Sequence, residues 1–295
     1  MNLNVELRCI ACIINRGYHQ IQEATDDKSL QFETLSAILR FLAEEFKTTA
    51  NPADLGTKRD RLISKMTGNP DPYKKKKQIS NQKALEVLPI AQGIVMNEAL
   101  PEHRFRKACL SAIVGNIIEF NLPDNPFKFS DLEKLIQEAE NDLSVDEIFQ
   151  IFKEAKKAKT VLYLTDNAGE IALDTLLVKE LKNIGAYVIV AVKEGPILND
   201  ALMKDAQIVG MNNVADRVMS TGSDSVGLFL EDCSKEFLDI YHSVDLVVAN
   251  GMGHAETLTE LELPVPHALL LRSKCSTVAS HFGVATGKNI AKLLH

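Results

Sequence analysis

The second half of the chain alternates short apolar runs with segments of helical periodicity. The clearest run extends from Val161 to Leu164, and its β-branched and aromatic side chains are typical of a strand buried on both faces. Strands that alternate with helices pair in parallel, so this succession predicts an α/β fold with a doubly wound, mostly parallel sheet. The predicted strands lie at residues 160–165, 186–192, 206–209, 217–220, 244–249 and 267–271.

The first half of the chain has a helical pattern. Between residues 35 and 46, apolar residues recur at steps of three and four, as they do on one face of a helix. Asn51 followed by Pro52 indicates a helix start, with an N-cap and a proline at the first helical position. Two further pairs have the spacing of a capping box, namely Ser130 with Glu133 and Ser144 with Glu147. We therefore expect a mainly helical domain over residues 1–158, packed on an α/β domain over residues 159–295.

Composition argues against several classes of protein. Of the 295 residues, 45% are hydrophobic and 25% charged, which is ordinary for a globular protein. No apolar run approaches the roughly 18 residues that span a bilayer, so we expect no membrane association. The net charge of -7 argues against binding to nucleic acid. The N-terminal sequence has no basic region followed by an apolar core, so we expect no signal peptide and a cytoplasmic location.

The five cysteines do not form a disulfide framework, because their number is odd and their spacing is scattered. Only Cys9 and Cys12 have a recognisable spacing, a single CxxC. Such a pair is half a zinc site or a redox pair, but a full zinc site needs further ligands. We favour the alternative, in which two small thiols pack on one face of a helix.

Polar residues follow the predicted strands. Asp166 and Asn167 come directly after the first strand, with Glu170 behind them, and Asp200 follows the second strand. Since the carboxyl ends of parallel strands meet at one edge of a sheet, we expect these groups to converge. Oxygen ligands without a His/Cys cluster favour a hard cation such as magnesium or manganese over zinc.

This convergence predicts phosphoryl chemistry. A divalent ion held by Asp166, Asn167 and Asp200 would leave positions for water and a phosphate oxygen, and the turn at residues 221–224 would offset charge on a phosphoryl group. Taken alone, an Asp-Asn pair after a strand is more often a turn or a helix cap, so the prediction depends on the convergence. The sequence has no GxxxxGKS/T loop, no GxGxxG after the first strand and no GxSxG elbow. A P-loop NTPase, a dinucleotide-binding fold and a nucleophile-elbow hydrolase are therefore disfavoured.

Several motifs in combination resemble one family. In chain order they are CIAC at 9–12, DPY at 71–73, GNIIE at 115–119, DNAGE at 166–170, KEGPILNDAL at 193–202, STGSD at 220–224, GMGHAETL at 251–258, and KC at 274–275 followed by GVATG. With these motifs the chain resembles the DUF89 family, also known as the damage-control phosphatase, ARMT1-like, family. The N-terminal CxxC is similar to its stand-alone prokaryotic branch, and the match spans nearly the whole chain.

The resemblance implies a metal-dependent phosphatase that hydrolyses phosphate monoesters of small metabolites, such as sugar phosphates or damaged phosphometabolites. It also implies a helical N-terminal portion on a Rossmann-like core. The ion would be Mn, Mg, Ni or Co, and the catalytic and metal-binding positions of the family fall on Asp166, Asn167 and Asp200. Lys274 matches the catalytic lysine near the phosphate. The candidate substrate-binding residues are Glu170, Ser220, Thr221, Gly222, Asp224, His254, Glu256 and Asn116.

Three positions depart from the family pattern. His254 stands where an asparagine is usual, Asn250 where a lysine is usual, and Glu119 where an aspartate is expected. These departures concern substrate contacts more than metal binding, because the metal triplet is intact. The missing lysine at residue 250 removes one positive charge from a site for an anion.

Two other functions stay open at this point. One is a carboxyl methyltransferase that uses S-adenosylmethionine, an activity also proposed for the family, although methyl transfer has no need of a metal held by two aspartates and an asparagine. The other is a metabolite-binding protein without turnover. For the phosphatase we expect a small phosphorylated metabolite as the partner, no nucleic acid and no membrane, and a homo-oligomer is left open.

Overall fold

The computed structural model describes residues 3–117 and 132–295. The helices within these ranges are α1 (Leu7–Ala24), α2 (Lys28–Glu45), α3 (Pro52–Thr67), α4 (Lys74–Met96), α5 (Pro101–Ile117), α6 (Leu132–Asn141), α7 (Ile148–Lys157), α8 (Glu170–Asn183), α9 (Met203–Ile208), α10 (Lys235–Tyr241), α11 (Met252–Leu258) and α12 (Ser276–His281). The strands are β1 (Leu143–Asp146), β2 (Thr160–Leu164), β3 (Tyr187–Val192), β4 (Arg217–Ser220), β5 (Leu246–Asn250), β6 (His267–Arg272) and β7 (Asn289–Leu294).

The strands form one sheet in the order β1-β7-β6-β5-β2-β3-β4. Neighbouring strands are parallel except β6 and β7, which are antiparallel. From β2 the chain proceeds through β3 to β4 on one side, and it later adds β5 and β6 on the other side. The gap between the ends of β2 and β5 is therefore the topological switch point, where open α/β sheets bind ligands. The predicted α/β fold class, with its doubly wound and mostly parallel sheet, is confirmed.

Both faces of the sheet are buried beneath helices. Along β2, Val161 and Tyr163 belong to the core that includes α4, α5, α7 and α8, whereas Leu162 and Leu164 belong to the core that includes α10, α11 and α12. Successive side chains of a strand point to opposite faces, so a strand covered on both sides is apolar at every position. This is why the continuous apolar run predicted β2 correctly.

The helices of the first half divide into two groups. Helices α1, α2 and α3 enclose a core of their own, which includes Ile38, Leu55 and Ile63. Helix α5 packs along α8, and a β-carbon at Gly115 of α5 would lie only 3.3 Å from the Cα atom of Glu170. Glycine at this position therefore allows close packing of the two helices. The predicted helical N-terminal part is confirmed, whereas the domain boundary at residue 158 stays a prediction, since β1 precedes it and pairs with β7.

Two predictions of local structure are wrong, and two strands are absent from the predicted set. Residues 206–209 do not form a strand but lie at the end of α9, where Asp205 stabilises the helix start by accepting a hydrogen bond from the Leu202 amide at 2.9 Å. Ser144 is not a helix cap, because it lies in β1 and α7 begins only at Ile148. The additional strands are β1 and β7, which pair with each other, and β7 also pairs with β6.

The start of α3 matches the sequence prediction. The Oδ1 atom of Asn51 accepts hydrogen bonds from the amides of Ala53 at 2.8 Å and Asp54 at 3.3 Å, and Pro52 is the first helical residue. The capping box predicted at Ser130 lies outside the described residues. None of the helices in the described part of the chain is long and apolar enough to cross a membrane.

Candidate active site

Asp166, Asn167 and Asp200 are brought together by a short backbone pairing. Asp166 and Asn167 follow β2, and Asp200 lies in the loop after β3. Asn167 and Asp200 form an antiparallel bridge, and the Ala201 amide donates to the Asp166 carbonyl at 2.7 Å. As a result, the three side chains border the same cavity. The predicted convergence of this triplet is therefore present in the structure.

The carboxylate of Asp166 lies in a place that only glycine leaves open. Gly251, directly after β5, has a φ angle of 98°, a conformation that favours glycine. A β-carbon at Gly251 would overlap the carboxyl group of Asp166. Because β2 and β5 flank the switch point, this glycine allows the carboxylate to lie between the two strand ends.

The side-chain amide of Asn167 is oriented by two carboxylates. Its Nδ2 atom donates to Asp166 Oδ2 at 2.8 Å and to Glu170 Oε2 at 2.9 Å. Both amide hydrogens are thus engaged, which leaves Oδ1 as the atom suited to bind a cation. Glu170 is buried and does not line the cavity, so the structure places it behind Asn167.

Asp200 is a buried carboxylate with incomplete compensation. The residue is 3% exposed, and its Oδ2 atom has no hydrogen-bond partner among the described residues. The ammonium group of Lys193 lies 3.9 Å from that oxygen, too far for a hydrogen bond. Burial raises the pKa of Asp200 well above its usual range, the charge of Asp166 raises it further, and Lys193 and Lys77 act in the opposite direction.

These features fit a divalent cation. Two carboxylates and an amide oxygen are the hard donors that magnesium and manganese prefer. A cation beside Asp200 would also supply the partner that its buried Oδ2 atom lacks. Within the described ranges no group of three or more His, Cys, Asp or Glu side chains is arranged to hold a metal ion, so a thiol- or imidazole-based site is not supported there.

The triplet borders a cavity of about 160 Å³, which we call the active-site cavity. Lys274 and Glu256, both predicted from sequence, line it as well. Burial raises the pKa of Glu256 to about 7, the charge of Arg16 lowers it, and the charge of Asp166 raises it. The cavity thus combines a candidate cation site, a basic side chain and a carboxyl group that titrates near neutrality.

The turn at residues 220–224, predicted to bind substrate, does not line the active-site cavity. Ser220 donates to Glu194, and the Thr221 hydroxyl accepts from the Ser223 amide at 3.2 Å. Gly222 lies against the backbone of Ser234, and Asp224 accepts from Arg61 Nε at 3.1 Å. The hydrogen bonds of this turn are therefore satisfied within the protein.

His254 also lies outside the lining of the active-site cavity. It is buried, and its Nδ1 atom donates to the Asn250 carbonyl at 2.8 Å. Burial lowers the pKa of His254 to about 3, and the charge of Lys193 lowers it further, so the ring is neutral at pH 7. Asn250 in turn donates to Asp174 Oδ1 at 2.9 Å. The side chain of Asn116 and the whole of Glu119 lie outside the described residues.

The CxxC pair lies on α1 and borders the active-site cavity. Cys9 is buried and Cys12 is exposed, and all five cysteines are free thiols. The Cys9 sulfur lies 3.6 Å from Thr277 Oγ1, a contact between α1 and α12. Burial on a helix, the favoured interpretation for both cysteines, is thus observed for Cys9 but not for Cys12, which is exposed.

Three arginines of the cavity are absent from the sequence predictions. Arg8 and Arg16 lie on α1, and Arg59 lies on α3. The signal in the sequence is weak, because an arginine on an amphipathic helix usually belongs to the solvated face. Their spacing relative to Cys12 places Arg8 and Arg16 on one helix face, but sequence alone does not show what that face borders.

The fold and this site together define an α/β protein with an oxygen-rich candidate cation site at the switch point of its sheet. More particularly, the chain belongs to the family defined by the damage-control phosphatase ARMT1-like domain, whose family model matches residues 5–290. The predicted family is therefore confirmed.

Three similar proteins match nearly the whole chain. An uncharacterized protein from Methanocaldococcus jannaschii is 36% identical over 294 residues, which cover 98% of this chain and 95% of the relative. A damage-control phosphatase from Archaeoglobus fulgidus is 33% identical, with 97% and 98% covered. The crystal structure of a DUF89 family protein from Pyrococcus horikoshii has a TM-score of 0.87 at 32% identity, with 98% of both chains covered. These findings support the predicted phosphatase activity and favour neither the methyltransferase nor the non-catalytic alternative.

Proposed function

We propose that this protein is a divalent-metal-dependent phosphatase that hydrolyses phosphate monoesters of small metabolites. The observation that carries the proposal is the buried Oδ2 atom of Asp200, which has no hydrogen-bond partner among the described residues and lies beside a second acidic ligand candidate, Asp166. Without a cation such a buried carboxyl group takes up a proton, whereas a divalent ion stabilises the ionised form. The names of the relatives from Archaeoglobus fulgidus and Pyrococcus horikoshii, both called damage-control phosphatases, support the class of reaction.

Each cavity residue has a role in this proposal. Asp166, Asn167 and Asp200 hold the ion, and Mn, Mg, Ni and Co are the candidates. When bound, such an ion polarises a phosphoryl group and lowers the pKa of water. Lys274 contributes positive charge to the phosphate. Glu256 orients water or a polar group of the substrate, and its pKa of about 7 suits proton exchange near neutrality.

The remaining predicted residues act indirectly. Glu170 is a positioning residue, because its carboxylate fixes the amide of Asn167. His254 positions the end of β5 through its bond to the Asn250 carbonyl. We propose that the 220–224 turn supports the site through Arg61 of α3 and does not touch the substrate. Asn116 remains a candidate for substrate binding on the resemblance alone.

Phosphate release tests the proposed function. The protein would be stripped of metal with a chelator and assayed with p-nitrophenyl phosphate and small sugar phosphates, with and without each of the four ions. We expect turnover that depends on added metal, and we expect Asp200→Asn to abolish the metal-stimulated part while the protein stays folded. Release of no phosphate from any compound, or full metal-stimulated activity in Asp200→Asn, would refute the proposal.

A cytoplasmic location remains part of the proposal. The free state of all five cysteines supports it, because thiols persist in reducing compartments. A thiol titration on protein from cells lysed in denaturant with an alkylating agent checks this point, and five modified cysteines per chain are expected.

A further inference from the structure

The active-site cavity has a second wall, which helices form. Arg8, Cys12 and Arg16 of α1 line it at steps of four residues, and Gly56 and Arg59 of α3 line it at a step of three. Residues three or four apart share a helix face, so each helix presents one face to the cavity. We call these five residues the helical wall. It is separate in the chain from the strand-end residues that form the proposed metal site.

Arg59 is the buried member of the helical wall, at 2% exposure. Its Nε and Nη2 atoms contact Asp60 Oδ1 at 2.8 and 2.6 Å, and Nη1 donates to the Ile13 carbonyl at 3.3 Å. Gly17 leaves room for this side chain, because a β-carbon there would lie 3.1 Å from Arg59 Cδ. A guanidinium has five N–H donors, and these contacts within the described residues engage three. A fixed guanidinium with further donors therefore borders the cavity.

Arg8 and Arg16 are the exposed members of the helical wall. Arg8 pairs with Glu6 at 2.8 Å and also donates to Ser276 at the start of α12. Arg16 acts on the cavity electrostatically, since its charge lowers the pKa of Glu256. The two side chains therefore lie at the solvent side of the cavity, where positive charge attracts an anionic ligand.

The donors of the helical wall favour a substrate with more than one anionic group. The basic residues that line the cavity are Arg8, Arg16, Arg59 and Lys274, and the acidic ones are Asp166, Asp200 and Glu256. Arg8 pairs with Glu6 and Arg59 with Asp60, so the preference depends on guanidinium donors and not on an excess of positive charge. A carboxylate or phosphate oxygen accepts charge-assisted hydrogen bonds from such donors, which are about twice as strong as those to a neutral hydroxyl.

We propose that the helical wall binds a second oxyanion of the substrate, so that the preferred substrates are phosphate monoesters that also carry a carboxylate or a second phosphate. This inference rests on the proposed function, because it assigns the scissile phosphate to the strand-end side of the cavity. Guanidinium groups recognise carboxylate and phosphate oxygens through paired N–H donors, which suits arginine at these positions better than lysine.

Matched substrate pairs test the inference. The first pair is 3-phosphoglycerate and glycerol 3-phosphate, which differ by a carboxylate in place of a hydroxymethyl group. The second pair is glucose 1,6-bisphosphate and glucose 6-phosphate, which tests a phosphate in the same role. We expect kcat/KM to favour the doubly anionic member of at least one pair by about tenfold, the size of one charge-assisted interaction.

Variants assign the preference to the helical wall. Arg16→Gln removes one charge without burying a polar group, and we expect it to bring the preference close to one. Arg59→Lys keeps the charge next to Asp60 but removes the paired donors, and a reduced preference is expected there too. Arg40→Gln is the matched control, since Arg40 is exposed on α2 and does not line the cavity. It should leave the preference unchanged.

The outcomes separate this inference from the proposed function. Turnover of all four compounds without preference, or an equal preference in wild type and Arg16→Gln, overturns the helical-wall assignment and leaves the phosphatase intact. Release of phosphate from none of them overturns the phosphatase. Calorimetric binding of the same four compounds decides the inference without turnover, because weaker binding of the doubly anionic member in wild type contradicts it.

Discussion

Two acidic loops at the same edge of the sheet differ in their surroundings. Asp200 follows β3 and Asp224 follows the adjacent strand β4, and both are candidate site residues from sequence. Asp200 is buried beside Asp166, with one oxygen that has no hydrogen-bond partner among the described residues. The side chain of Asp224 is 42% exposed and pairs with Arg61.

The difference shows which strand-end carboxylates are suited to bind a ligand. A carboxylate that an arginine already neutralises in solvent is a structural link, in this case between α3 and the turn at residues 220–224. The ionised form of a carboxyl group that is buried next to a like charge is unfavourable, and a bound cation stabilises it. Position at the edge of the sheet is shared by both residues, so charge compensation distinguishes them.

The largest loss of activity is expected from a substitution at Gly251, which follows β5 and lies against Asp166. In Gly251→Ala, the β-carbon would overlap the Asp166 carboxyl group and the backbone would be strained at its φ of 98°. We expect phosphatase activity to fall by about a hundredfold, as for a displacement of about 1 Å at a reacting group. Gly283→Ala is the control, because Gly283 has a φ of 67° but no atom within 4 Å of the added carbon. Equal loss of activity in both variants would show that backbone strain, and not displacement of the Asp166 carboxylate, causes the loss.

A second prediction compares a buried histidine, His267, with an exposed one, His242. His267 lies at the edge of the sheet opposite the candidate active site. His267 begins β6 and is buried, with Nδ1 donating to the Val265 carbonyl at 2.7 Å and Nε2 accepting from Tyr241 at 2.9 Å. Burial lowers its pKa from 6.5 to about 4, while the Val265 carbonyl acts in the opposite direction. As the pH falls, His267 is therefore protonated at a higher pH in the unfolded chain than in the folded protein.

The stability that neutral His267 provides is present above pH 6.5 and is lost as the pH falls from 6.5 towards 4. The loss between pH 7 and pH 4 is about 3 kcal/mol of unfolding free energy. Urea denaturation at a series of pH values measures it, and His267→Gln should remove this part of the pH dependence. The same variant of His242, which is exposed, serves as the control. A pH dependence that is identical in wild type and His267→Gln would contradict the assignment.

The smallest change in activity and stability is expected from a substitution of Asp224, in the turn at residues 220–224. Asp224→Asn should change kcat/KM by less than about threefold and the unfolding free energy by less than about 1 kcal/mol, because an exposed ion pair contributes little. Steady-state kinetics and thermal unfolding measure the two quantities. A loss of activity as large as that of Asp200→Asn would place Asp224 in the site and break the comparison.

The sequence predicted the parts of the fold that local pattern determines. The strands β2 and β4 are recognisable because their apolar or alternating residues reflect burial in the sheet. Asn51 is recognisable because an N-cap side chain bonds to the first amides of its own helix. The residues 206–209 show the limit, since a short apolar run suits a helix as well as a strand. β1 and β7 depend on each other across about 150 residues of chain, so neither is visible locally.

The residues of the candidate site also divide into those that local sequence predicts and those that only the packing of the chain shows. Asp166, Asn167 and Asp200 could be predicted because parallel strand ends meet at one edge. The turn at residues 220–224 meets the same criterion, and only the contact with Arg61 shows that its carboxylate is already paired. The arginines of the helical wall could not be predicted, because the packing of α1 and α3 decides which of their polar residues face the cavity.

Calorimetric titration with a divalent ion tests the central claim most directly. Manganese would be added to metal-free wild type, Asp200→Asn and Asp224→Asn under identical conditions. We predict one site per chain in wild type, the same affinity in Asp224→Asn, and no binding over that concentration range in Asp200→Asn. Equal affinity in Asp200→Asn and wild type would contradict the assignment of the buried loop as the cation site.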